Sequence, residues 1–476
     1  MARAPGATGW GGDPRLGNAL VEALLDASRD DVVADSLTHP AHSYPARLHP
    51  ATARRLIDIV MGGTAADAVL LDPFCGSGTT LVEARAIGGR SVGVDLNPLA
   101  VLLARVKTWT VALQRRRAAR DLAHRISGDV LLMGKEARRA NAPQTSARSP
   151  VGFDPNARQR RIGPWFSPHV RRELEAIAAA IDEVATDDRE VADLFTVALS
   201  AILYKVSHRQ SDTDPTWIER SIARGAAARL FVERVELILA GLDDMGRQRG
   251  PLPAVVEGDA RKLSTLGLPT IAGIVSSPPY AGTYDYAAHH RLRFDFLGIR
   301  HRALDEGELG ARRHFENDRD GAIARWQDDL AASIGAMASV LVPGGLAALV
   351  VGDSLAGGRA RFADEDLRSV LDDRMAVVAW AWQERPPLGG SERRVFADRP
   401  KREHVILLER RAVAAGSGAV ADGGGAVAAG SGAVADGGGA VADGGGAVAQ
   451  PAAPAVRERA AERAPTAERR APRRPR

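Results

Sequence analysis

The chain has 476 residues, of which 45% are hydrophobic and 26% are charged, as is usual for a soluble globular protein. No window approaches about 18 uninterrupted apolar residues, and the N-terminus lacks the apolar core of a secretory signal, so the sequence predicts a cytoplasmic location. The only cysteine, Cys75, excludes an internal disulfide framework and a multi-cysteine zinc site. The formal net charge of +4 is too small to indicate a nucleic-acid partner.

Strand and helix patterns alternate along the body of the chain, which predicts an α/β sheet with helices on both faces. A helix is expected at Thr79–Ile87, between the first two strands. The last two strands are expected to form an edge hairpin. The predicted strands are Ala68–Leu71, Ser91–Val94, Ala254–Glu257, Ile271–Val275, Leu346–Val351, Met375–Trp382 and His404–Leu408.

A large insertion separates the second and third predicted strands. Apolar residues recur there at intervals of three and four, which predicts helices. The charged stretch 114–161 is expected to be partly a loop. Beyond the body, five seven-residue repeats (AVAAGSG or AVADGGG) run from Ala412 to Gly446. Each repeat holds two or three glycines, which oppose a helix, so this segment is predicted to be a flexible linker.

These patterns divide the chain into five parts. The sequence predicts an N-terminal arm, a catalytic domain in two pieces, a helical insertion that is a candidate for target recognition, a linker and a disordered Arg/Pro-rich tail. Their bounds are 1–38 for the arm, 39–107 and 254–411 for the catalytic domain, 108–253 for the insertion, 412–450 for the linker and 451–476 for the tail.

The sharpest motif is DPFCGSGTT, which starts at Asp72, follows a predicted strand and opens a predicted helix. Gly76 and Gly78 remove side chains where a ligand approaches the backbone, and a helix N-terminus offers free N–H groups. Asp95 ends the next strand, where a carboxylate can accept hydrogen bonds from both hydroxyls of a ribose. The spacing differs from GxGxxG, which disfavours NAD.

This segment resembles motif I of the amino-methyltransferases that act on DNA, DPFxGSGTT followed by G(R/K)xxxGxDxNPxA, and the second part here reads GGRSVGVDLNPLA. The resemblance implies a Rossmann-like methyltransferase sheet and S-adenosyl-L-methionine as cofactor. It places Asp72 and residues 76–78 near the methionine part and Asp95 on the ribose. The cofactor-binding residues predicted in this way are Tyr44, Pro45, Asp72, Phe74, Gly76, Gly78, Thr79, Asp95 and Asp259.

Two of these positions come from weaker motifs. Residues 39–50 (HPAHSYPARLHP) resemble motif X of the family, FPAKFxP, which closes over the methionine end of the cofactor, with Tyr44 and Pro45 in that place. The three histidines of this segment are an alternative metal site, although no acidic cluster completes it, and the prediction is that no metal is bound. Asp259 matches motif III, whose acid meets the adenine amine; a solvated turn residue is the alternative.

The chemistry is expected at Ser277-Pro278-Pro279-Tyr280, at the end of a predicted strand. Two consecutive prolines cannot extend a sheet and form a rigid bracket. An exocyclic amine is a poor nucleophile, and the Ser277 hydroxyl and the Pro278 carbonyl can accept its two hydrogen bonds. Tyr280 offers a face for a flipped base. The sequence therefore predicts an amine methylation site here.

This tetrapeptide resembles motif IV of the same family, (D/N/S)PP(Y/F/W). Serine in the first position is typical of cytosine-N4 enzymes, so the resemblance implies a site-specific cytosine-N4 DNA methyltransferase, with DNA as substrate and a separately encoded restriction endonuclease as a candidate partner. Adenine-N6 and RNA or tRNA amino-methylation, or an inactive DNA-binding protein, are the alternatives. Cytosine-C5 chemistry needs a nucleophilic cysteine, and Cys75 lies in the cofactor loop instead.

Two further segments are candidates for contact with DNA. In the insertion, His208–Arg220 is polar and basic enough for phosphate and base contacts, and a helical cap is the alternative. After the bracket, Gly282–Arg293 (GTYDYAAHHRLR) carries tyrosines, histidines and arginines. These side chains are expected to line the base pocket or to grip backbone phosphates, and a solvated helix start is the alternative.

Overall fold

The computed structural model describes residues 6–29, 31–139, 163–248, 250–316, 318–412 and 457–459. Within the predicted linker and tail, only Ala412 and residues 457–459 are described, and residues 457–459 form a strand. The flexibility and disorder predicted for the rest of those two segments concern residues outside the described ranges.

Among the described residues, nine strands form one sheet in the order β11-β1-β9-β10-β6-β5-β2-β3-β4. The run from β6 to β4 is parallel, whereas β10, β9, β1 and β11 are joined by antiparallel pairing. All seven predicted strands are present. The strands are β1 Thr8–Gly12, β2 Val69–Asp72, β3 Arg90–Asp95, β4 Ala254–Glu257, β5 Ile271–Ser276, β6 Leu341–Gly352, β9 Met375–Glu384, β10 Arg402–Arg410 and β11 Arg457–Arg459, with β7 Ser354–Ala356 and β8 Arg359–Arg361 in a separate two-stranded sheet.

Helices cover both faces of the large sheet. The described α-helices are α1 Pro14–Arg29, α2 Asp31–Ala34, α3 Pro50–Met61, α4 Thr79–Ala86, α5 Pro98–Thr108, α6 Leu113–Arg139, α7 Pro168–Asp187, α8 Arg189–Ile202, α9 Ala226–Arg247, α10 Tyr286–His289, α11 Arg291–Leu297, α12 Arg302–Gly307, α13 Arg319–Val340, α14 Ala363–Ser369 and α15 Gly390–Val395. Short 3-10 turns lie at His39–Ala41, Gly163–Trp165, Ala260–Thr265 and Arg312–Phe315. None of the described helices is long and apolar enough to cross a membrane.

Strand residues alternate between two apolar layers because successive side chains point to opposite faces. Val350 of β6 packs with α1 and α3 on one face, and Leu349 packs with α13 on the other. Both layers are buried, as expected of parallel strands covered on both sides.

The predicted N-terminal arm differs in the structure, because its residues join the sheet. β1 pairs antiparallel with β9, so the predicted hairpin of β9 and β10 does not lie at the sheet edge. The glycine-rich sequence TGWGG reads as a loop, but its glycines make room for tryptophans. A Cβ at Gly9 would lie 2.5 Å from the Trp382 ring, and one at Gly11 would lie 2.2 Å from the Trp380 ring.

The insertion is helical where it is described. Helices α6 to α9 share an apolar core with α5 and with the segment after β5. The charged stretch predicted to be partly a loop begins with the 27-residue helix α6, and residues 140–162 lie outside the described ranges. The insertion therefore packs against the catalytic domain through α5 and the segment after β5.

Candidate functional site

Asp72 ends β2 and is buried beneath the glycine loop. The Ser276 hydroxyl donates to Asp72 Oδ1 at 2.6 Å, and the Phe74 amide donates to the same oxygen at 3.2 Å. Burial raises the pKa of Asp72 to about 6, against the hydrogen bonds that lower it. Asp72 therefore connects the end of β2 to the end of β5 through its hydrogen bond with Ser276.

The loop after Asp72 takes a path that only glycine adopts easily. Gly76 and Gly78 have φ values of +50° and +82°. Gly78 is the N-cap of α4, and a Cβ there would lie 2.9 Å from the Cβ of Ala104. Between the two glycines, Ser77 has a buried Oγ with no hydrogen-bond partner among the described residues. Its hydroxyl can therefore take up a ligand atom.

Asp95 holds the same loop from the neighbouring strand. The Gly76 amide donates to Asp95 Oδ2 at 2.7 Å, and the Asn97 amide donates to Oδ1 at 2.8 Å. Burial raises the pKa of Asp95 to about 6. Each carboxylate oxygen has two acceptor positions, so one acceptor position on each remains for a ligand hydroxyl.

Tyr44 of the N-terminal motif lies beside Asp95. The Asn97 side-chain amide donates to Tyr44 Oη at 3.2 Å, and the ring stacks on Tyr286 with centroids 5.8 Å apart. Burial raises the pKa of the Tyr44 phenol well above its usual value. The Tyr44 ring thus lies over the glycine loop, since a Cβ at Gly76 would lie 3.4 Å from a carbon of that ring.

These groups enclose a cavity with about 800 Å³ of empty space, part of it open to solvent. Predicted residues that line it are Tyr44, Asp72, Phe74, Gly76, Thr79, Asp95, Ser277 and Pro279. Ser77, within the predicted segment 76–78, and Tyr286, from the segment expected to line the base pocket, also line it. Lining residues that the sequence did not single out include Arg47, Thr80, Asn97 and Glu308. Arg47 is the one cation among the lining residues. The sequence did carry a signal for two of these lining residues, because Arg47 lies in the segment that resembles motif X and Asn97 lies in the DLN of motif I. It carried no signal for Glu308.

Four predicted cofactor and catalytic residues lie beside the cavity without lining it: Pro45, Gly78, Pro278 and Tyr280. The placement of Asp259 differs more. Its carboxylate is taken up by Arg261, which also pairs with Asp329 at 2.6 Å. Asp259 is therefore occupied by a neighbouring cation and does not reach the cavity in the structure.

The proline bracket follows β5 directly. Ser277 Oγ lies 3.3 Å from Tyr280 Oη, and the Trp326 indole donates to the Pro279 carbonyl at 3.1 Å. Pro278 and Tyr280 also border a second, small cavity behind the bracket. The contact with Trp326 of α13 fixes the bracket against the body of the domain.

Several side chains after the bracket are buried, which removes one of their predicted roles. His290 is fully buried, and Arg293 is buried and pairs with Asp212 of the insertion at 2.7 Å. The Tyr204 hydroxyl donates to the His289 carbonyl at 2.6 Å. These residues join the insertion to the catalytic domain, so His289, His290 and Arg293 are not placed to grip DNA phosphates.

The histidines that offered an alternative metal site have other partners. His39 pairs with the buried Glu83 at 2.7 Å, His42 lies 3.0 Å from Ser200 Oγ, and His49 accepts from the Ala51 amide. Among the described residues, one group has ligand atoms close enough for a metal, namely Asp353, Asp364 and His404. Asp353 there already accepts hydrogen bonds from Ala363 N, His404 Nε2 and Arg402 N, so the group is an internal network.

Cys75 packs in a small apolar cluster with Leu81 and Ala104. Burial raises the pKa of its thiol well above the usual value, which opposes a nucleophilic role.

In the insertion, the His208 ring stacks on the Trp217 ring with centroids 5.2 Å apart, and 54% of Trp217 is exposed. Recognition of DNA by this loop stays a prediction.

Comparisons with known proteins fit this arrangement. A family model described as DNA methylase, of the N6/N4 type, matches residues 27–105. The chain is 32% identical to the type II methyltransferase M.MvaI of Kocuria varians over 56% of this chain and 58% of that protein. A shorter match to the type II methyltransferase M.MjaII of Methanocaldococcus jannaschii is 43% identical and covers 10% of this chain and 9% of that protein. These matches support an N4/N6 DNA amino-methyltransferase family for this chain, in agreement with the resemblance of its motifs.

The chain spans less than two thirds of the length of these curated relatives. Among solved structures, TrmN from Thermus thermophilus matches at 14% identity with a TM-score of 0.29, over 76% of this chain and 49% of that one. The rRNA methyltransferase aviRa from Streptomyces viridochromogenes also matches at 14% identity with a TM-score of 0.29, over 80% of this chain and 94% of that one. These two values carry no weight for function.

Proposed function

We propose that this protein transfers a methyl group from S-adenosyl-L-methionine to the exocyclic N4 amine of cytosine in DNA. The observation that supports this most is that one cavity is lined both by Asp95, from the predicted cofactor side, and by Ser277, from the predicted catalytic bracket. A cofactor bound at Asp95 would therefore lie next to a base bound at Ser277.

The residues of the cavity suit this cofactor. Asp95 has acceptor positions for ribose hydroxyls, the buried Ser77 Oγ lacks a partner among the described residues, and Arg47 offers the cation that a methionine carboxylate requires. When bound, S-adenosylmethionine supplies a methyl group on a positively charged sulfur. The protein itself holds and orients this cofactor. The glycine loop can do so because Asp95 fixes it through the Gly76 amide.

The bracket supplies the acceptors for the target amine. The Ser277 hydroxyl and the Pro278 carbonyl can each accept one N–H of the amine, which fixes the nitrogen and favours a pyramidal geometry. Positioning of this kind accounts for much of the acceleration of a bimolecular step. A neutral serine is a poor base, so the surplus proton leaves to water after transfer.

The choice of cytosine N4 rests on Ser277, because serine at this position of motif IV is typical of cytosine-N4 enzymes. DNA as the substrate follows from the family and from the type II names of its relatives. A separately encoded endonuclease as partner belongs to the same proposal.

The test is to incubate the purified chain with cofactor labelled in its methyl group and with either duplex DNA or tRNA. We expect label on DNA and N4-methylcytosine after digestion to nucleosides. Label on tRNA alone would contradict the DNA substrate, and N6-methyladenine alone would contradict the N4 assignment. Binding of DNA without transfer would identify an inactive relative.

A further inference from the structure

An ion pair lies at the carboxyl edge of the sheet, on the side of the bracket away from the cofactor loop. Arg385 follows β9, and Glu403 lies near the start of β10. The Arg385 Nε donates to Glu403 Oε2 at 3.0 Å, and Nη2 donates to the same oxygen. One carboxylate oxygen of Glu403 thus accepts from both the Nε and the Nη2 of the guanidinium.

The sheet register brings this pair to the bracket. Glu403 pairs with Gly352 across β10 and β6. The Tyr280 ring packs on that glycine, since a Cβ at Gly352 would lie 2.8 Å from a ring carbon. Tyr280 Oη in turn lies 3.3 Å from Ser277 Oγ. Burial raises the pKa of Tyr280 and Tyr284, and the negative charge of Glu403 adds to the increase for both phenols.

The pair is open to a ligand. The side chains of Arg385 and Glu403 are 30% and 29% exposed. No hydrogen bond from Arg385 Nη1 is recorded among the described residues. Arg385 Nη1 therefore keeps N–H donors that have no partner among the described residues, while Glu403 fixes the plane of the guanidinium.

We propose that Arg385 reads the Watson–Crick edge of the target cytosine and that Glu403 is its positioning residue. This inference rests on the proposed function. Beside its amine, cytosine presents two acceptors, N3 and O2, whereas adenine presents N1 and then an apolar C–H. An arginine fork can donate to both acceptors of cytosine and to one of adenine. With the amine held by Ser277, Arg385 would favour cytosine.

The experiment compares wild type, Arg385→Gln, Glu403→Gln and the control Glu409→Gln, which makes the same change on β10 at the opposite edge of the sheet. We expect Arg385→Gln to lower kcat/KM for DNA by about 10-fold to 100-fold, the range for loss of a bidentate base contact. We expect a smaller loss for Glu403→Gln, no change for Glu409→Gln, and cofactor affinity within about twofold of wild type in all three.

Nucleoside analysis of genomic DNA separates base reading from a structural role. If Arg385 selects cytosine over adenine, Arg385→Gln should raise the ratio of N6-methyladenine to N4-methylcytosine. If the Arg385–Glu403 ion pair only connects β9 to β10, the ratio should stay unchanged. Active wild type with unaltered rate and ratio in Arg385→Gln would overturn this inference alone. Wild type that methylates no DNA would overturn the proposed function first.

Discussion

Ser276 and Ser277 are neighbours in the chain but belong to opposite halves of the site. The Ser276 hydroxyl bonds to Asp72 under the cofactor loop, whereas the Ser277 hydroxyl lies beside Tyr280 in the bracket. The cofactor half is built around the carboxylates of Asp72 and Asp95, which accept hydrogen bonds from nearby backbone amides and from the Ser276 hydroxyl. The target half is built from aromatic rings and a half-exposed ion pair. The cofactor half is held by its own hydrogen bonds, whereas the target half offers N–H donors and ring faces that a base could contact.

The largest expected effect breaks the target half alone. Ser277→Ala removes an acceptor for the target amine and leaves the cofactor loop intact. We expect kcat to fall by roughly 10²–10³-fold, in the range for loss of one preorganised polar contact at a reacting centre. Single-turnover transfer to DNA measures the loss, and calorimetric titration should show cofactor affinity within about twofold of wild type.

Ser276→Ala is the matched control, since it removes the neighbouring hydroxyl from the other half. It should weaken cofactor binding and lower kcat much less than Ser277→Ala does. If the two variants lose kcat equally and cofactor affinity equally, the division into two halves is wrong.

The second prediction breaks the cofactor half. Asp95→Asn removes the negative charge that accepts from the Gly76 and Asn97 amides and, in our proposal, from the ribose. We expect the cofactor dissociation constant to rise roughly 30-fold, about 2 kcal/mol for a charge-assisted hydrogen bond. Titration calorimetry with S-adenosylhomocysteine checks this. Asp372→Asn, on the exposed side of the opposite sheet edge, should bind as wild type does.

How far these halves could be predicted differs for a physical reason. Asp72, Gly76 and Asp95 lie in contiguous motifs, because a strand end, a tight turn and a helix start are set by local sequence. The seven predicted strands were placed to within a few residues, apart from the start of β6, whereas β1, β7, β8 and β11 were not predicted. Arg385 and Glu403 carry no local signal, since only the register of β10 on β6 brings them to the bracket.

The same reason explains two other differences. β1 could not be predicted because its glycines are required by two tryptophans more than 360 residues away. Asp259 lies two residues after β4, but its carboxylate pairs with an arginine two residues further along the chain. Both outcomes depend on side chains that are placed by packing and not by spacing along the chain.

The third prediction concerns pH and again separates the halves. Burial raises the pKa of Asp95 and Asp72 from 3.8 to about 6, so both carboxyls take up protons as the pH falls through about 6. A protonated Asp95 loses acceptor capacity, and the cofactor dissociation constant should rise about tenfold per pH unit below that value. Binding measured from pH 7.5 to pH 5 checks this, and a flat profile would contradict it.

The sign for stability is the opposite. Because the folded pKa values exceed the unfolded ones, the folded state binds more protons between about pH 6 and pH 4. These two groups therefore contribute stability as the pH falls and lose it as the pH rises through 6. Loss of affinity at low pH should then occur without a fall in Tm from these carboxyls.

The smallest effect is expected where the two halves meet. Tyr286 lines the cavity, stacks on Tyr44 of the cofactor half and follows the bracket in the chain. Tyr286→Phe keeps the ring and should leave cofactor affinity within about twofold, whereas Tyr286→Ala removes the stack and should weaken it about fivefold, in line with about 1 kcal/mol for an aromatic pair. Equal losses in both variants would show that the hydroxyl, and not the ring, joins the two halves. The ring would join them by holding the segment around Tyr44 closed over the glycine loop while its own chain segment carries the bracket.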